Sequence, residues 1–249
     1  MLELHKSQIR VHLLESRPPP VGRPNRTPPN SNSERSDGLW NNEDHAFIQN
    51  DCPPTANPKL WRQGQLTSIQ GLFEVTARVY QVRGFDLSNM TLVESDTGVI
   101  VIDPLTCVET AAEALALYRS VRGDKAVSAV IYSHSHIDHF DGAASVIPPR
   151  DHPPTIPIIA PEGFMEEAMS ENILLGPVMI RRAMYMYGSR LPKAPDGQIG
   201  CGIGAGVPRG TGSLIPPNIS ITQTGNERVI DGVRIVFQMV PGSEAPSER

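Results

Sequence analysis

The chain has 249 residues, 39% hydrophobic and 20% charged, with a formal net charge of −5. That is length for one large domain or two small ones, with enough apolar material to bury a core. The mild acidity excludes a basic footprint for nucleic acid or an anionic membrane surface. Three scattered cysteines, Cys52, Cys107 and Cys201, exclude a disulfide scaffold and a cysteine-held zinc.

Taken in chain order, the N-terminus MLELHKSQIRVHLLE is broken by charges before any long apolar run. It does not read as a secretory signal, and no stretch approaches the ~20 apolar residues of a membrane span. A cytoplasmic location is expected, and the N-glycosylation triplets at Asn25, Asn89 and Asn218 then read as chance. Residues 1–38 are expected to be a disordered proline-rich tail. RPPPVGRPNRTPPNSNSERSDG has six prolines and almost nothing large and apolar, too little to offset its ordering entropy.

Composition changes at Leu39, and 39–249 reads as one folded region. FEVTARVYQV, MTLVESD and GVIVIDP alternate and are punctuated by turn residues, which predicts an antiparallel meander. TCVETAAEALALYRSVRG predicts a helix, with Thr106 and Glu109 as a capping box and Gly123 as its stop. KAVSAVIYSH is a buried strand by its apolar run. AASVI suggests a short helix, and IPIIAPEG another strand. EEAMSENILLGPVMIRRAMYMYG reads as helical, interrupted near Gly176-Pro177. Leu191 to Asn218 is rich in glycine and proline and reads as a flexible loop; its GCGIGAG lacks nucleotide-loop spacing. ISITQTGNERVIDGVRIVFQMV predicts two strands around an Asp231-Gly232 turn. Strands, then helix, strand and helix, then strands again, make an α/β or α+β layered fold.

The chemistry gathers in SHSHIDHF, Ser133 to Phe140, at the end of the buried strand. His134 and His136 are two apart, so on an extended segment both imidazoles face the same way. Asp138 and His139 follow where the chain turns. Imidazole nitrogen and carboxylate oxygen suit zinc, manganese or iron. Four donors on so short a loop can serve two ions ~3.5–4 Å apart that share an activated water. The competing reading is a histidine-rich surface loop. A serine triad has no GxSxG elbow to support it. Asp103, closing a strand in IDP, is either an acceptor that orients a metal histidine or a plain turn aspartate. Arg181 and Arg182, beside Tyr185 and Tyr187, can bind a sulfate. The alternative is a helix whose Met179, Met184 and Met186 pack in the core while its arginines stay in solvent.

HxHxDH after a strand resembles the signature of the metallo-β-lactamase superfamily. NPKLWRQGQLTSIQGLFEV, VYQVRGFDLSNMTLVESDTGVIVIDPLT, AVIYSHSHIDHFDGA, IIAPEGFMEEAMSEN, RRAMYMYG and VPGSEAPSE resemble its alkyl sulfatases. The resemblance, over roughly 38–249, implies an αββα sandwich with a two-zinc site that hydrolyses long-chain alkyl sulfates such as dodecyl sulfate. It implies that His134 and His136 bind one zinc with Glu244, and that Asp138 and His139 bind the other; Glu248 matches a second glutamate without an assigned role. This chain has HFDG where the family has HFGG, so Asp141 is expected to add negative charge beside the metals and to strain the turn. The family's further acidic and histidine ligands, helical dimerisation region and sterol-carrier-like domain follow later than Glu244. The resemblance therefore implies the N-terminal part of a sandwich, incomplete at the C-terminus, with one zinc retained and no homodimer. The alternatives are another hydrolase of the superfamily, such as a lactamase or thioesterase, and a non-catalytic metal-binding remnant.

Overall fold

The computed structural model describes residues 9–13, 40–147 and 155–240. In chain order the elements are β1 (Ile9–Leu13), α1 (Pro58–Thr67), β2 (Gly71–Thr76), β3 (Val79–Arg83), β4 (Met90–Glu94), β5 (Gly98–Ile102), α2 (Val108–Arg122), β6 (Ala126–Ile131), β7 (Ile158–Pro161), α3 (Phe164–Met169), α4 (Gly176–Tyr187), β8 (Ile219–Ile221), β9 (Asn226–Ile230) and β10 (Val233–Met239). Short 3-10 turns add Asn42–Gln49, Ile137–His139 and Ala143–Ser145, and a π turn spans Ser170–Leu174.

Seven strands form one sheet in the order β2-β3-β4-β5-β6-β7-β8, and β1-β10-β9 form a second. The meander β2 to β5 is antiparallel, as its alternation predicts. From β5 onward the strands run parallel. Parallel strands need a crossover and lie buried on both faces, which is why GVIVI and AVSAVI are near-continuous apolar runs. One face of the large sheet packs on α2 and α3 through Leu92, Val101, Tyr118, Val130, Tyr132 and Phe164. The other face sets Val93, Ile100, Ile131 and Ile159 against Ile230, Ile235 and Phe237 of the small sheet. The described layers are thus helices, seven strands and three strands, matching the α/β metallo-β-lactamase-like expectation.

Three expectations need correction. Ile9–Leu13, assigned to the tail, pairs antiparallel with β10; the alternating IRVHL suits an otherwise open sheet edge. The rest of the tail lies outside the described residues. The Thr106–Glu109 capping box does not form: Thr106 Oγ1 donates to Asp86 Oδ1, and Glu109 accepts from Thr211 N and Oγ1 at 2.8 and 2.7 Å. Cys107 holds the cap position without a side-chain bond, while Gly123 does end the helix at φ 91. Finally, the glycine-rich loop is anchored at several points. Gln198 Oε1 meets His45 Nε2 at 2.8 Å, and Ser213 N–H donates to Asp141 Oδ1 at 2.9 Å. Tyr132 OH donates to Ile215 O at 3.2 Å.

Candidate metal centre

The cluster sits at the carboxyl ends of β5 and β6, where parallel sheets place their ligands. Ile102 pairs with Ile131, so the residues that follow, Asp103 and Ser133, emerge side by side. Asp103 accepts Ser133 N–H at 2.8 Å and Ser133 Oγ–H at 2.7 Å. Its φ is 57, and beyond Pro104, Leu105 has φ 66. Two non-glycine residues in the left-handed region flanking a proline store strain at this turn.

His134 and His139 each have one ring nitrogen toward the centre and the other hydrogen-bonded to an oxygen, while His136 Nε2 stands at ion-pair distance from Glu171. His134 Nε2 lies 3.2 Å from His136 Nδ1, while His134 Nδ1 lies 2.9 Å from Ser133 Oγ. His139 Nε2 lies 3.3 Å from Asp138 Oδ2, and its Nδ1 lies 2.9 Å from Asp103 Oδ2. His136 Nε2 lies 3.6 Å from Glu171 Oε1. The rings of His134 and His139 pack with centroids 4.1 Å apart. Burial opposes a charge on His139, but Asp103 and Asp138 on either side prevail, and its pKa is pushed up to about 10. Burial likewise opposes ionisation of Asp138, yet His139 holds its carboxyl below the usual range. A place flanked by two carboxylates in this way favours a cation.

Zinc–nitrogen bonds of about 2.0–2.1 Å at a tetrahedral angle separate two donors by roughly 3.3 Å. The His134–His136 and Asp138–His139 pairs have that spacing, so the donor set fits zinc as two pairs. Among the described residues, no group of three or more His, Cys, Asp or Glu side chains is arranged to hold a metal ion. Glu244 and Glu248 lie outside the described residues.

Asp103 accepts hydrogen bonds from Ser133 and from the His139 ring, the contacts that the orienting-acceptor reading requires. The strain expected at Asp141 is absent. The residue does not adopt a positive φ, and its carboxylate is turned to Ser213. The turn's demand for glycine falls on the next residue: a Cβ on Gly142 would collide with Pro104 O and Ala111. Arg181 and Arg182 are exposed, and among the described residues neither is hydrogen-bonded or ion-paired to the cluster. Met179 and Met186 are exposed too, so α4 does not bury its methionines as expected. Sequence reasoning missed Ser133, Glu171 and Cys201, and named Tyr187 only as a neighbour of Arg181 and Arg182. Burial raises the pKa of the Tyr187 phenol and of the Cys201 thiol, and the Asp138 charge adds to both, so both groups stand within electrostatic reach of the cluster. Ser133 lies inside the motif, whose pattern could have given it; Glu171 and Cys201 come from distant segments with no spacing signal.

The model of the metallo-beta-lactamase superfamily matches residues 83–219, more than half of the chain. The chain belongs to this superfamily. Within it, the chain is 48% identical over 218 residues to a linear primary-alkylsulfatase from Pseudomonas sp, covering 86% of this chain and 32% of that protein. It is 48% identical over 212 residues to the alkyl/aryl-sulfatase BDS1 of Saccharomyces cerevisiae, covering 84% and 33%. It superposes with a TM-score of 0.75 and 43% identity on the stereoselective inverting sec-alkylsulfatase Pisa1 from Pseudomonas sp., over 79% of this chain and 31% of that one. The chain spans about a third of the length of the curated relatives it matches.

Proposed function

We propose that the cluster is the metal end of a zinc-dependent hydrolase that splits alkyl sulfate esters. The observation that carries this is the pair of donor pairs, at 3.2 and 3.3 Å, on one loop at the sheet's carboxyl edge. The 44–48% identity to alkylsulfatases supports the substrate class. Bound zinc supplies positive charge that polarises a sulfate oxygen and lowers the pKa of a water.

The protein's own groups do the rest. His134 Nε2 and His136 Nδ1 would hold one zinc, joined by Glu244 as the resemblance implies. Asp138 Oδ2 and His139 Nε2 would hold the second. Asp103 accepts the His139 Nδ1 proton and, through Ser133, steadies His134 with its Nε2 lone pair toward the centre; at His139, zinc would take the place of the proton that Nε2 shares with Asp138. Water adds across the ester, and alcohol and sulfate leave. No redox partner is needed.

The test is metal analysis after dialysis, with sulfate release from dodecyl sulfate. Because the described donors close in pairs rather than trios, the 249-residue chain alone is expected to hold at most about one zinc tightly and to show little turnover. His136→Ala should abolish that zinc. Two tightly held zincs with robust turnover would show that this chain completes both sites; unchanged zinc in His136→Ala would overturn the assignment.

A further inference from the structure

Two of the three rings in the cluster have an evident anchor: Ser133 behind His134, and Asp103 behind His139. His136 points Nδ1 at His134 and so turns Nε2 away from the centre, to 3.6 Å from Glu171 Oε1. We propose that Glu171 is the positioning residue for His136, completing the set of anchors; the inference rests on the zinc reading above. A carboxylate at ion-pair distance from Nε2 favours the tautomer that carries its proton there, leaving the Nδ1 lone pair free, and disfavours rotation of the ring.

Glu171 reaches the loop because of how its helix is built. Pro177 has no N–H, so it cannot continue the α-helical ladder to Ile173. Just before it the chain widens into the π turn Ser170–Leu174, with Leu175 N–H donating to Ser170 O at 2.9 Å. Such single π turns recur at functional sites because they re-aim side chains. Here the stretch grips two consecutive loop residues. Asn172 Nδ2 donates to Ser135 O at 3.4 Å, Ser135 Oγ donates to Glu167 Oε2 at 3.3 Å, and Glu171 faces His136. Glu171 itself is largely shielded, with 17% of its side chain exposed, which strengthens its electrostatic attraction for a protonated Nε2.

The experiment compares zinc affinity, by competition with a chromogenic chelator, in the wild-type chain and in Glu171→Ala, Glu171→Gln and the exposed control Glu166→Gln. Histidine 15N spectra of the metal-free proteins report the His136 tautomer, which a merely structural role would not move. Glu171→Ala should weaken zinc binding about 10–100-fold and shift His136 away from the Nε2–H form. Glu171→Gln, whose amide oxygen still accepts a proton, should lose less and retain the tautomer even if the alanine variant folds poorly. Glu166→Gln should match the wild type. Wild-type affinity and an unchanged tautomer in Glu171→Ala would overturn the inference while leaving the zinc reading intact. No zinc bound by the wild type would overturn that reading, and this inference with it.

Discussion

Asp103 is the acceptor that links Ser133 to the His139 ring. It accepts from Ser133 N, Ser133 Oγ and His139 Nδ1, and it does so from a left-handed backbone conformation. Asparagine tolerates that conformation nearly as well as aspartate. Asp103→Asn should therefore fold, yet it removes the charge that complements a cation at His139. The expected outcome is zinc affinity reduced by roughly tenfold or more, with little change in melting temperature. Isothermal titration beside thermal unfolding checks this; unchanged affinity would reduce Asp103 to a turn residue.

At the scale of elements, β4 is tied to α2 by a shielded carboxylate. Glu94 accepts from Arg122 Nε at 2.9 Å and from Tyr118 OH at 3.1 Å, with Lys125 Nζ 3.1 Å away. The Arg122 hydrogen bonds outweigh burial and, helped by Lys125 and Tyr118, draw its pKa from 4.5 to about 2. A depressed carboxylate stabilises the fold fully above its unfolded pKa and loses that contribution as pH falls toward the folded value. The window is thus about pH 4.5 down to 2. With allowance for the partly exposed Arg122, the contribution is roughly 2 kcal/mol. Urea unfolding across this range should show wild-type stability falling faster than that of Glu94→Gln, which starts lower near neutrality. Parallel curves would rule Glu94 out.

At the scale of the whole molecule, the described residues leave the apolar stretch around α4 largely uncovered. Along the π turn and α4, Ile173, Leu174, Val178, Ile180, Tyr185 and Met186 are all exposed, Leu174 at 76%. A helix apolar on most sides is ordinarily covered, and a contiguous bare patch favours association. Leu174→Ser with Ile180→Ser should raise the solubility of the 249-residue chain with little effect on its unfolding midpoint, as expected where side chains bury little. Light scattering against concentration is the measure. A large loss of stability would mean that these side chains pack inside.

The meander, the buried parallel strands, the interruption at Gly176-Pro177 and the clustering of His134, His136, Asp138 and His139 were legible because each depends on nearby residues. Period-two alternation, apolar runs, proline's missing donor and a two-residue spacing all act over a few positions. Sequence by itself also determined the superfamily, through long ordered motifs around HxHxDH. It did not reveal that Thr106 and Glu109 abandon the helix cap for Asp86 and Thr211, that Asp141 accepts from Ser213, or that IRVHL joins a sheet edge more than 200 residues away. Each of these depends on which distant group stands opposite once the sheets have stacked. A polar side chain with two attainable partners takes the one that burial makes costlier to leave unpaired, and that choice exists only in the folded chain.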